Sequence, residues 1–142
     1  MATFIFFDEW KRYQATTAQL ETDAFKLMLT NTAPVVATHT VKADLTEITA
    51  AGGYASKSLT TAWQETGAGS SIWRFSMGAD QTWTASGAAF DTFRYVVVYD
   101  DTVVTPSKPL VGYWDYGSAL NLADGDSLTV DVDANFSVYT LT

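Results

Sequence analysis

His39 is the only histidine in the chain, and imidazole is the side chain best suited to move protons near neutral pH. Catalysis there needs a nucleophile and an orienting acid around it. The stretch that carries it, residues 31–44, holds no serine or cysteine motif, so His39 reads as an exposed loop side chain. The densest carboxylate group is Asp124-Gly125-Asp126 with Asp131 and Asp133. Calcium takes about six to eight oxygen ligands, and short Asp-x-Asp runs supply some of them. This run lacks the further acid and the closing glutamate of an EF-hand loop. The simpler reading is a tight turn, where Asp and Gly are favoured for backbone reasons, followed by a charged strand face that discourages edge pairing. The chain has no cysteine, which removes disulfides, thiolate zinc sites and cysteine nucleophiles and fits synthesis in a reducing cytosol. Its nine glycines match no phosphate-binding fingerprint. Its 16 acids always offer pairs, so a glycosidase-like pair is not singled out. No catalytic residue, cofactor-binding residue or metal ligand is assigned; the expectation is a protein without enzymatic activity.

The aromatic content is the other source of chemistry. Five Trp, seven Tyr and eight Phe are present, enough for a carbohydrate-binding platform. Trp10, Trp63, Trp73, Trp83 and Trp114 nevertheless fall within strand or helix patterns, where aromatics at such spacing are more often core. The net charge is −8, which argues against nucleic acid, whose phosphates call for a Lys/Arg surplus, and against an anionic membrane surface. From Asp100 onward seven acids face only Lys108. A basic partner surface is one reading and plain solubility the simpler one. The first ten residues do not form a signal peptide, because the apolar run is four residues long and acids follow at once. No stretch reaches membrane-spanning length.

The elements that must position these groups are mostly strands. At 142 residues one domain with one core is expected. Residues 1–7 form an apolar arm. Asp8 and Glu9, then Lys11 and Arg12, with Phe7, Trp10 and Tyr13 at helical spacing, predict a short helix over 8–20. From 24 to 142 the period is two. Phe25, Leu27 and Leu29 alternate with Lys26, Met28 and Thr30 as a half-buried strand. Residues 31–44 read as a long loop, and Leu45–Thr49 as one helical turn capped by Asp44. Further strands are expected over 57–66, 71–77 (Trp73, Phe75 and Met77 on one face), 81–85, 92–99 and 110–114. The 92–99 run is apolar on both faces and so central. Residues 127–141 form one long strand, or two joined at Asp133-Ala134-Asn135. Glycine-containing turns separate the runs. About eight antiparallel strands and one short helix predict an all-β, jelly-roll-like sandwich or barrel.

Several stretches, in order, carry a resemblance. They are Phe25-Lys-Leu-Met-Leu-Thr-Asn-Thr32, Leu45-Thr-Glu-Ile-Thr-Ala-Ala-Gly-Gly-Tyr54, Thr82-Trp-Thr-Ala-Ser-Gly87 and Phe93-Arg-Tyr-Val-Val-Val-Tyr-Asp100. Pro109-Leu-Val-Gly-Tyr-Trp-Asp115 and Leu122-Ala-Asp-Gly-Asp-Ser-Leu-Thr-Val130 close the series. After a helical N-terminal segment, this order resembles the small capsid cement, or decoration, proteins of tailed bacteriophages. The resemblance implies a jelly-roll-like fold, no enzymatic activity, no cofactor, and a place on the outer surface of the phage head. The implied partners are the major capsid protein and the chain itself, as a dimer or trimer. It transfers no functional residue; the signature is scaffold rather than site. Similar small β proteins occur on phage tails and neck fibres, and a carbohydrate-binding β-sandwich or a small hydrolase on such a fold are the competing readings.

Interfaces are anchored by aromatic and apolar side chains buried at their centre. The protein-interface candidates are therefore Phe4, Ile5, Phe6, Phe7 and Trp10, then Pro34, Val35 and Val36 in the 31–44 loop. For the arm two readings stand open: it docks into a partner, or it folds back over an edge of its own sheet.

Overall fold

The 92–99 run becomes the middle of the largest sheet. A computed structural model of the protein describes residues 2–132 and the backbone of 137–141. In chain order its elements are β1 (Ile5–Phe6), α1 (Trp10–Thr16), β2 (Phe25–Thr30), β3 (Lys57–Ser58), β4 (Ala62–Glu65) and β5 (Trp73–Ser76). Then come β6 (Gln81–Thr84), β7 (Phe93–Asp100), β8 (Leu110–Leu120), β9 (Ser127–Val130) and β10 (Ser137–Leu141). A five-stranded sheet runs β1-β8-β7-β2-β3, a three-stranded sheet β10-β5-β4, and a two-stranded ribbon β6-β9. All the pairings are antiparallel. The fold is all-β, and the sheets do not close on one another.

The core lies where the sheets face each other. Phe25 of β2 meets Phe75 of β5 with ring centroids 5.1 Å apart, and Trp10 of α1 stands edge-on to Phe25 at 6.0 Å. Phe7, Trp10, Phe25 and Phe75 are essentially inaccessible to water. Tyr54 stacks on Trp83 of β6 and meets Phe90 edge-on, which ties the two-stranded ribbon to the rest. Burial of this kind is the main force holding a domain of this size together.

Several expectations are corrected. The helix is shorter than 8–20, covering Trp10–Thr16. Thr16 turns its hydroxyl back onto the Arg12 carbonyl, and Thr17 leaves helical geometry. β2 is buried on both faces rather than half-buried, Met28 and Thr30 included. The segment after residue 44 runs along the edge of β2, extended rather than helical. Glu47 bridges Thr30, and the Ile48 amide donates to the Leu29 carbonyl. The helical turn sits earlier, at Lys42–Asp44. There the Asp44 carboxylate accepts the Thr40 and Val41 amides at 2.7 and 3.0 Å, closing the turn that precedes it. The expected strand over 57–66 is two strands in different sheets, with residues 59–61, of which only Leu59 is buried, carrying the chain from one sheet to the other. Residues 127–130 and 137–141 likewise pair in separate sheets, β9 with β6 and β10 with β5. The proposed junction at Asp133-Ala134-Asn135 lies outside the described residues.

β8 runs past residue 114 to Leu120. Its partners on β7 step from Tyr95↔Asp115 to Phe93↔Leu120. Residues 116–119 therefore bulge out opposite the single Arg94. A bidentate ion pair from Arg94 to Asp115, at 2.7 and 2.8 Å, and the Gly117 amide on Asp115 hold the bulge.

A partly buried polar chain braces β2. The Tyr54 hydroxyl accepts the Leu29 amide at 2.9 Å and donates to Glu47 at 2.8 Å, and Glu47 pairs with Lys42 at 2.6 Å. Burial pushes the Tyr54 phenol far above its ordinary range. Tyr54→Phe is expected to lower unfolding free energy by about 2 kcal/mol, because the buried Leu29 amide loses its acceptor. Urea denaturation of the two chains checks this.

Candidate functional site

The arm residues lie on their own sheet. Ile5 and Phe6 pair with Tyr113 and Gly112 of β8, and the Phe7 amide donates to the Val111 carbonyl. Phe4 packs on Trp114 and Phe6, with centroids 4.6 and 5.0 Å away. Phe7 and Trp10 are sealed in the core, Phe4 and Phe6 are half-buried, and Ile5 is exposed. In this chain the arm thus takes the second of its two readings, folding back over a sheet edge. In the 31–44 loop Val35 is exposed, and Pro34 and Val36 are half-buried. His39 is half-buried rather than fully exposed. Its Nδ1 accepts the Val35 amide at 3.2 Å, and its own amide donates to the Val35 carbonyl at 2.9 Å. It closes a turn of its own loop.

The acidic run is a turn as well. Asp124 accepts the Gly87 amide and Asp126 the Ala123 amide, while Gly125 and Asp126 are laced by backbone bonds to Ala85. Asp131 lies exposed just past the end of β9, not within the strand, and Asp133 is outside the described residues. Among the described residues no three His, Asp or Glu side chains converge as a metal site, and no helix is long and apolar enough to cross a membrane.

The tryptophans do not share one fate. Trp10, Trp83 and Trp114 are buried, Trp63 is half-buried, and Trp73 is 43% exposed. The core reading therefore fails at Trp73, and the cause is the course of β4 and β5 in the three-stranded sheet. Trp63 stands opposite Phe75, and Glu65 opposite Trp73. Residues directly opposed, and residues two apart on one strand, share a face. Phe75 thus puts this face into the core, and Trp73 carries the same face out beyond it. There Trp63 and Trp73 stack, centroids 6.1 Å apart and planes 23° from parallel. Neighbouring Ile72 is exposed too.

Glu65 holds this overhang. Its carboxylate accepts the Ser71 amide at 2.6 Å and the Gly69 amide at 3.3 Å, and the Thr66 and Ser70 hydroxyls meet at 3.2 Å. The 66–72 turn is thereby fixed, and with it the start of β5.

Beside Trp63 an open cleft of about 530 Å³ separates β4 from the end of α1 and the turn after it. Gln14, Ala18, Gln19, Leu20 and Thr22 line it with Trp63. The turn is held by the Thr22 and Asp23 amides on the Gln19 carbonyl, and by the Gln19 amide on the Asp23 carboxylate at 2.7 Å. The arrangement presents a partly exposed aromatic surface with amide and hydroxyl groups at its rim.

No family model matches the chain, no curated protein matches it, and no solved structure matches its fold. The functional reading therefore rests on the geometry above and on the motif order of the sequence.

Sequence reasoning did not single out Glu65, Ala18, Gln19, Leu20 or Asp23. An acid ending one strand just before a Gly-Ser turn was the available signal for Glu65.

Proposed function

We propose that this chain is a virion structural protein, a capsid cement protein that binds and stabilises the major capsid shell of a tailed phage. On this reading the sheets form a jelly-roll-like sandwich on the outer surface of the head, and the chain associates with itself as a dimer or trimer. The observation that carries the reading is the Trp63–Trp73 overhang beside its cleft. A half-exposed Trp pair on neighbouring strands is the kind of anchor that concentrates binding energy when a partner covers it. The motif order described above supplies the capsid context.

Trp73→Ala is the direct test. The ring is 43% exposed and stacks on Trp63, so unfolding free energy is expected to fall by about 1–2 kcal/mol, with the chain still folded. Affinity for phage heads lacking the protein is expected to fall by about thirtyfold or more, the effect of losing one anchor residue. Binding unchanged by the substitution would remove the Trp63–Trp73 overhang from the interface. Heads as stable to heat without the protein as with it would remove the cement role.

A second reading has one observation in its favour. An exposed Trp face flanked by amide and hydroxyl groups also suits a pyranose ring, as in a tail-fibre or carbohydrate-binding module. A glycan array that lights up with the parent chain and goes dark with Trp73→Ala would favour it over the cement reading.

A further inference from the structure

Two carboxyl groups meet inside the fold. Asp100 ends β7 and has no solvent exposure, and Asp23, at the end of the turn that lines the cleft, is nearly as buried. Asp100 Oδ1 accepts the Thr102 and Val103 amides at 2.9 and 3.3 Å. Its Oδ2 is buried with no hydrogen-bond partner. The Asp101 amide on the Ala24 carbonyl and the Ala24 amide on the Thr102 hydroxyl hold residue 23 beside residue 100, where the two carboxyl groups interact. Two ionised carboxylates in that position would put acceptor against acceptor in a medium that screens charge poorly. A single proton resolves the contact, the Asp100 hydroxyl donating to Asp23.

The surrounding charges do not supply another solution. Lys26 of β2 and Lys108 of the 101–109 loop both bind Asp101, at 2.8 and 2.7 Å. Tyr99 is the remaining titratable group on this end of β7. The ordinary carboxylate value does not hold for Asp100: burial, and then the Asp23 contact, push it up to about 7. The two partners differ in how firmly they are held. Asp100 belongs to the central strand, with its backbone paired to Phe25 and its amide on the Pro109 carbonyl. Asp23 belongs to a short surface turn whose Gln19, Glu21 and Thr22 are exposed.

We infer that the Asp23–Asp100 pair is a proton-operated latch: the shared proton seats the 17–23 turn, and its loss frees that turn and reshapes the cleft beside Trp63. The importance of this for docking rests on the function proposed above; the latch itself does not. Above neutral pH the repulsion falls on the weaker element, so the turn yields and β7 stays.

The test uses the full chain with carbon-13-labelled aspartate. Nuclear magnetic resonance follows the Asp100 carboxyl, and hydrogen exchange, corrected for intrinsic rate, follows the Gln19, Thr22 and Asp23 amides at pH 6 and pH 8.5. Asp100 is expected to titrate near neutrality, and protection of the three amides to fall at least about tenfold at the higher pH while β7 keeps its own. Asp100→Asn supplies a permanent amide donor to Asp23 and is expected to hold protection at both pH values. Should that chain fail to fold, Asp23→Asn places the donor on the other side of the same contact. An Asp100 that titrates in the ordinary carboxylate range, or turn protection equal at both pH values, overturns the latch. A turn that switches while head binding stays independent of pH keeps the latch and overturns the cleft as docking site.

Discussion

Gly112→Val is expected to lower unfolding free energy by about 3 kcal/mol and to make residues 1–7 the first site of proteolysis. A Cβ at Gly112 would stand 2.5 Å from Phe4 Cε1 and 2.7 Å from the Ile5 carbonyl oxygen. One is an aromatic ring packed on Trp114, and the other is backbone in the β1–β8 pair. Neither can give way without breaking the contact that seats the arm. Overpacking alone costs about 1–3 kcal/mol, and lifting Phe4 and Phe6 off the sheet adds lost apolar burial. Gly67→Ala is the control. It has open space around it and ordinary backbone angles, so its effect should stay within about 0.5 kcal/mol. Urea denaturation and limited proteolysis read by mass spectrometry compare the two; an intact arm in Gly112→Val would show that Phe4 and the β1 backbone do give way, and a released arm with unchanged stability would show that β1 contributes little to the fold.

The second large effect is on stability against pH. The Asp100 value is raised in the folded chain, to about 7 against an ordinary 3.8. The folded state therefore holds a proton that the unfolded state releases. The resulting stabilisation is complete below the unfolded value and is lost as pH climbs through the folded one. Its size is at most a few kcal/mol and belongs to the coupled pair, and the loss falls between pH 5.5 and pH 8.5. Other carboxylates act in the opposite sense. Asp44 is held down by the Thr40 and Val41 amides, Asp91 by the Thr49 hydroxyl and amide, and Asp115 by Arg94. Their contributions are present above the ordinary carboxylate range and are lost as pH falls through their lowered values. They are solvent-exposed or nearly so, and hence small. Maximum stability is expected between about pH 5 and pH 6. Asp100→Asn should remove the alkaline decline and leave the acid one. Urea unfolding at pH 5.5 and pH 8.5 checks both; a parent chain equally stable at the two values would refute it.

The strands were legible wherever alternation was strong and local. β2, β6, β7 and β9 fall within about two residues of their expected places. The central position of β7 followed from its two apolar faces, because only a strand covered on both sides can bury them. What could not be read was long-range. Nothing in Lys57–Glu65 marks the change of sheet at residues 59–61, since both halves alternate in the same way. The extension of β8 was hidden because Tyr116-Gly117-Ser118-Ala119 has the composition of a turn, and it is a bulge. At the site, Trp63, Phe75 and Trp73 share a face as alternation requires. Which of them lies beyond the core depends on where the opposing layer stops, and that is a property of the assembled fold. The acids Asp23 and Asp100 abut two of the most apolar strands, a visible anomaly whose meaning depended on the two coming together.

The seat of the arm also orders events during synthesis. Ile5 and Phe6 find their partners at Tyr113 and Gly112, about a hundred residues later in the chain. A polypeptide still emerging from the ribosome therefore carries Phe4, Ile5, Phe6 and Phe7 for most of its length before their native strand exists. Contacts of such separation are entropically late and slow to form. Until then the four side chains are an apolar stretch open to chaperones or to neighbouring nascent chains.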